Sequence, residues 1–162
     1  GGNYLLNIGP TEDGSVPAPS IEVLTEVGRW LDTNGESIYG TERGDLRPTT
    51  NSNLTRRGNT LYIHQKFWPG HTPAADWLDF FKPEVVVALA GLKPKALSAR
   101  LLKTGQKVDF TQDEFSLRLT GLPLQAPDVP TTVIVVECDG EPEVDQKSLI
   151  PLWPRHKVGI SV

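Results

Sequence analysis

Between residues 3 and 8 the side chains alternate in character, with Tyr4, Leu6 and Ile8 on one face and Asn3, Leu5 and Asn7 on the other, which is the period of a strand. The turn-forming run Pro10-Thr11-Glu12-Asp13-Gly14 follows, and from residue 18 the period lengthens. Ile21, Leu24, Val27 and Leu31, joined by Trp30, recur at steps of three and four and predict a helix over 18–34 with one apolar stripe. Pro17 and Pro19 suit its start, where a missing N–H is tolerated, and Glu22 and Glu26 favour its amino-terminal half. Gly28 predicts close packing against a strand, and Asn34-Gly35 predicts a left-handed stop. These parts form one strand-loop-helix unit over 1–41. A parallel strand needs bonded neighbours at its edges and helices against its faces, so the unit is expected to end something larger.

A polar connection over 42–53, with Gly44 and Pro48, places a domain boundary at 41–46. From Asn59 the period falls to two: Leu61, Ile63 and Phe67 alternate with Tyr62, His64 and Lys66, predicting a half-buried strand. The run Trp68-Pro69-Gly70-His71-Thr72-Pro73 breaks it, and a short helical turn is predicted over 74–81. Further strands are predicted over 85–89, 97–102, 107–110, 115–119 and 131–138, separated by Gly, Pro or polar stretches. Short strands at such spacing predict an all-β antiparallel sandwich over 46–138. The tail, 139–162, starts acidic and carries Leu149, Ile150, Leu152 and Trp153, expected to dock as an added strand.

Composition narrows the function more than the fold. A net charge of −4 with both signs interspersed offers no basic block, which argues against nucleic acid and against anionic membrane. No apolar run reaches the length of a bilayer span and no signal pattern opens the chain, so it reads as soluble. The chain starts at Gly1 and has no Met, so a piece of a longer protein is expected. The single Cys138 lies in an apolar run, where a buried, unreactive thiol is expected. Asn53-Leu54-Thr55 has the form of a glycosylation sequon, a triplet common by chance.

The candidate chemistry is sparse. Asn7 ends the first strand; at the carboxyl rim of a barrel its polar side chain would contact substrate or orient a catalytic group, or else satisfy a neighbouring backbone. Glu12 and Asp13 are adjacent in a turn, where side chains point apart, and do not read as a catalytic pair. His64, His71 and His156 lack metal-ligand spacing, so no metal site and no cofactor are expected. Trp68, His71 and Trp77 cluster around one loop, as a sugar-stacking surface or as an anchor in a core or domain interface.

Taken together, Gly1-Gly2-Asn3-Tyr4-Leu5-Leu6-Asn7-Ile8-Gly9-Pro10-Thr11-Glu12-Asp13-Gly14, then Gly28-Arg29-Trp30-Leu31, then Asn34-Gly35-Glu36-Ser37-Ile38-Tyr39-Gly40-Thr41, closely resemble the carboxyl-terminal part of the α-L-fucosidases of glycoside hydrolase family 29. Gly58-Asn59-Thr60-Leu61-Tyr62-Ile63-His64 and the Gly91-Leu92-Lys93 turn resemble that family's sandwich. The resemblance covers roughly residues 1–140, and the first forty carry its specific motifs.

It implies the last β/α unit of a (β/α)₈-type barrel followed by a sandwich. It also implies a retaining mechanism in which an Asp nucleophile and a second carboxyl flank the bond, too close together to admit a water. Both carboxyls would come from earlier barrel strands, and no residue here matches the nucleophile motif. The implied partners are a fucosylated glycan and the remaining barrel of the same polypeptide; the implied location is secreted, periplasmic or lysosomal. The rival expectation is a non-catalytic carbohydrate-binding or scaffold sandwich from another glycoside hydrolase.

Overall fold

A computed structural model of the chain describes residues 4–44, 47–48, 52–69 and 85–143. Helix α1 spans Ala18–Asn34, as its period predicts, with Pro17 at its N-cap. It runs on into a single 3₁₀ turn, Gly35–Ser37. Among the described residues nine strands follow: β1 (Glu42–Arg43), β2 (Arg47–Pro48), β3 (Ser52–Arg57), β4 (Thr60–Gln65), β5 (Val85–Ala90), β6 (Ala96–Leu101), β7 (Asp109–Gln112), β8 (Ser116–Leu122) and β9 (Thr132–Cys138).

They form two antiparallel sheets, ordered β1-β3-β4-β9-β6 and β2-β5-β8-β7. Alternation along each strand sends one set of side chains inward, so Leu61 and Ile63 of β4 and Ile134 and Val136 of β9 meet Val87, Leu89, Leu117 and Leu119 of the second sheet in one buried cluster. This is the expected sandwich, with Cys138 among its buried residues. Burial, followed by the charges of Asp139 and Glu137, pushes the Cys138 thiol up to about 11, so it stays protonated and unreactive.

The outer face of the larger sheet is covered too. Tyr62, Val133 and Val135 pack in a second cluster with Trp30 of α1 and Leu102. That corrects the half-buried reading of β4: Tyr62 and His64 are 1% and 7% exposed, while Phe67, placed inward by alternation, is 69% exposed. Alternation along a strand cannot register a helix end lying across its second face.

Three local expectations also change. Residues 4–10 form no strand, because no other described segment offers them a hydrogen-bonded edge. The polar connection over 42–53 holds β1, β2 and the start of β3, which pairs along its whole length with β4 through the Gly58-Asn59 turn; Leu54 is the one buried apolar residue of β3, so hydrophobicity gave no signal. Gly35 is right-handed (φ −58°), and the left-handed glycine is Gly40 at φ +66°. A Cβ at Gly35 would stand 2.8 Å from the Tyr39 ring, so there the glycine makes room for an aromatic edge. Gly28 meets nothing within 4 Å, so the strand expected against it is not among the described residues. The turn expected over 74–81 and most of the tail, 144–162, lie outside those residues.

Gly44 gives a test of packing. A Cβ there would meet Leu54 Cβ at 2.8 Å and the Leu54 main chain at 3.3 Å, atoms fixed in β3. Gly44→Ala is expected to lower the unfolding free energy by about 1–3 kcal/mol. Gly35→Ala meets only the exposed, movable Tyr39 ring and is expected to stay within about 0.5 kcal/mol. Urea titration of both variants checks the contrast.

Candidate functional site

The loop after residues 4–9 is built from its own hydroxyls. Asp13 Oδ1 accepts from the Ser15 hydroxyl (2.8 Å), the Ser15 amide (3.1 Å) and the Thr11 hydroxyl, while the Gly14 amide donates to Thr11 O at 2.8 Å. The Thr11 bond and then those from Ser15 hold the Asp13 carboxyl at about 2, well below the usual carboxylate range. An acid that strong carries no proton at neutral pH to give away. Its role is to close the turn.

Asn7 is exposed and lines, with Leu6, Ile8, Pro19, Val23 and Leu24, a groove of about 300 Å³ between the opening segment and the start of α1. A second groove of about 500 Å³, lined by Val23, Val27, Trp30 and Pro130 and rimmed by Glu22 and Glu26, runs on along the helix. The stripe predicted as a packing face is therefore bare over its first half: Ile21, Leu24 and Val27 are 52%, 36% and 48% exposed, while Trp30 and Leu31 are half-buried.

Among the described residues, only the carboxyl end of α1 is anchored. The Trp30 indole N–H donates to Thr131 O at 2.9 Å. Asn34, fully buried, donates through Nδ2 to Trp30 O (3.1 Å) and to Asp128 Oδ2 (2.9 Å). Asp128 Oδ1 accepts from Lys103 Nζ at 2.7 Å and from the Val129 amide at 2.9 Å, and the Thr132 hydroxyl donates to Asp128 O at 3.0 Å. Arg100 adds an ion pair to Glu36 at 3.1 Å. No local pattern foretells this cluster, since Asn34 and Asp128 lie 94 residues apart and Asp128 sits in a Pro-containing connection.

His64 completes the junction. Thr55 Oγ1 donates to Ser37 O at 2.6 Å, so the Thr55 hydroxyl hydrogen is spent and His64 Nε2, 2.9 Å away, must be the donor between them. The imidazole ring lies 6.5 Å from Trp30. Burial lowers the His64 pKa from its ordinary 6.5. A depressed histidine pKa means that the unfolded chain binds the proton first. The stability it contributes is therefore complete above pH 6.5 and is lost as pH falls from there through the folded value. His64→Gln, which can still donate to Thr55, is expected to flatten the fall in Tm between pH 7.5 and 5; an unchanged slope by thermal denaturation would contradict this.

Of the sugar-stacking candidates, Trp68 is 8% exposed, lies in the sandwich core and donates its indole N–H to Pro123 O at 2.8 Å. It is an anchor, and a ring so enclosed has no face left for a sugar. His71, Trp77 and His156 lie outside the described residues. Among those residues no three His, Cys, Asp or Glu side chains come together as a metal site, and no helix is long and apolar enough to cross a membrane.

A sequence profile described as alpha-L-fucosidase matches residues 1–36. Mouse tissue alpha-L-fucosidase is 34% identical over 144 residues, 85% of this chain and 27% of that protein. The human tissue enzyme is 43% identical over 72 residues, 43% of this chain and 16% of that protein. Among solved structures, alpha-L-fucosidase isoenzyme 1 from Paenibacillus thiaminolyticus is 33% identical with a TM-score of 0.65, covering 85% of this chain and 31% of that one. Thermotoga maritima alpha-fucosidase, in complex with a mechanism-based inhibitor, is 27% identical with a TM-score of 0.64, covering 83% and 30%. The chain thus spans less than a third of the length of these relatives.

Proposed function

The chain belongs to the α-L-fucosidase family, and from that premise we propose that residues 1–41 are the last strand-loop-helix unit of a (β/α)₈-type catalytic barrel. On this reading residues 46–138 are the sandwich that follows, and the tail 139–162 extends it. The parent enzyme hydrolyses terminal α-L-fucosyl linkages with retention, using carboxylates supplied from outside these 162 residues. The observation that carries the reading is the apolar surface of α1, unpartnered among the described residues, together with exposed Tyr4, Leu5 and Leu6. Each such side chain stabilises by about 1.5–3 kcal/mol when fully buried, a gain that only additional packed elements can supply.

In the barrel, the segment 4–8 gains strand neighbours and turns Asn7 towards the pocket at the carboxyl rim. The loop closed by Asp13 then stands at that rim already ordered, so little entropy is lost in shaping it around a sugar. Asn7 contacts the fucosyl unit or orients a catalytic carboxyl. His71 and Trp77 remain candidates for the pocket wall.

The parent polypeptide is expected to release the chromophore from 4-nitrophenyl α-L-fucoside, and residues 1–162 alone to release none. Equal turnover by the isolated chain would refute the assignment. In the parent, Asn7→Ala is expected to lower kcat/KM by about 10–100-fold, the usual cost of losing a group that orients a site. Unchanged kinetics would return Asn7 to a backbone-satisfying role.

A further inference from the structure

At one end of the sandwich, the loop 91–95, the start of β6 and the end of β7 enclose an open groove of about 710 Å³. That size lies within the ~300–1,000 Å³ typical of small-molecule sites. Its floor is apolar: Leu92 is buried, and Ala96 and half-buried Phe110 pack on the core behind it. Two cations, Lys93 and Lys95, and two carboxylates, Asp113 and Glu114, line its walls, and Lys93 is ion-paired behind the wall with Glu143 at 3.4 Å.

The walls are held in place before anything binds. The Gln112 amide spans the loop, donating from Nε2 to Leu92 O (3.1 Å) and Pro94 O (2.8 Å) and accepting at Oε1 from the Ala96 amide (2.8 Å). From the other side the Lys95 amide donates to Asp139 Oδ1 at 2.8 Å and the Lys93 amide to Glu143 O at 3.0 Å. Asp113 is fixed by accepting at Oδ1 from the Phe115 and Ser116 amides at 2.8 and 2.7 Å. Those bonds keep its carboxyl below the usual range, hence ionised and able to accept.

We infer that this groove is a saccharide-binding site, separate from the opening segment and its rim loop, that takes a neutral sugar with one face on Phe110 and its hydroxyls between Lys95 and Asp113. A neutral, hydroxyl-rich ring with an apolar face satisfies these features together: an aromatic floor, and fixed acceptors and donors of both signs. A charged ligand of either sign would meet like charges on the walls. The choice of saccharide over other neutral polar ligands rests on the glycosidase reading. The site would hold a glycan to the sandwich while the barrel works on another part of it, raising the local concentration of substrate.

The test is an amide NMR titration of residues 1–162 with lactose, 2′-fucosyllactose and galacturonic acid. It reads the groove alone and is blind to whether the parent cleaves fucosides, so failure here and failure of the enzyme assay are separate results. The neutral sugars are expected to give saturable shifts confined to amides of 92–96 and 110–116, with a Kd of about 1 mM. Phe110→Ala is expected to weaken binding about tenfold. Lys95→Ala, on an exposed side chain, is expected to weaken it about threefold with the fold intact. The absence of saturable shifts, shifts centred elsewhere, an equal response to galacturonate, or undiminished binding by Lys95→Ala would each overturn the inference.

Discussion

Replacing Asp128 by Ala is expected to lower the unfolding free energy of the chain by about 3 kcal/mol, among the largest single losses open to a residue outside the apolar core. The carboxylate is buried and answers three donors at once: Asn34 Nδ2, Lys103 Nζ and the Val129 amide. Truncation leaves the Asn34 amide enclosed and short of an acceptor, and Asn34 Oδ1 is already buried without a partner among the described residues. Half-exposed Lys103 can then turn to water; Lys103→Ala leaves the carboxylate its Asn34 and Val129 donors and should cost less, about 1–2 kcal/mol. A double-mutant cycle between Asn34→Ala and Asp128→Ala, followed by urea unfolding, should show strong coupling. Additive losses would mean that the cluster is not the clamp described above.

The second large effect depends on context. Val27→Asp in residues 1–162 alone alters a half-exposed position and is expected to change stability by no more than about 0.5 kcal/mol while raising solubility. In the parent enzyme the same carboxylate would be driven into the contact between α1 and the barrel. There it is expected to remove fucoside hydrolysis or soluble protein altogether, since an unpaired buried charge costs several kcal/mol. Equal tolerance in both settings would show that no barrel element covers the helix. Glu22→Gln, at the groove's charged rim, should be tolerated in both and serves as the control.

Local periodicity carried much of this fold. The spacing of Ile21, Leu24, Val27 and Leu31 set the helix, and the apolar run over 131–138 predicted the strand found as β9, which the structure buries on both faces between β4 and β6. What escaped was whatever depends on a distant partner. β3 holds its place by main-chain pairing with β4, which leaves no trace in hydropathy. Tyr62 and His64 look like a polar, solvent-facing set until Trp30 is laid over them. Trp68 suggested a sugar platform because indoles serve both surfaces and cores, and only the position of Pro123 O decides which. The candidate site was legible in its opening motif, whose residues 1–36 match the family profile, and illegible in its chemistry, because the catalytic carboxylates are expected outside the chain.

The order of strands in the larger sheet has a consequence for biosynthesis. β9, the strand of the larger sheet made last among the described residues, lies between β4 and β6 and pairs with both. Until residue 138 has emerged, the β3–β4 hairpin and β6 lack this shared neighbour, and the Trp30 indole, made 101 residues before Thr131, waits for its acceptor. The nascent sandwich therefore stays half unzipped until β9 is made. A stop codon, a protease or a paused ribosome anywhere before that point would release an apolar, unclosed intermediate for chaperones to hold or degrade.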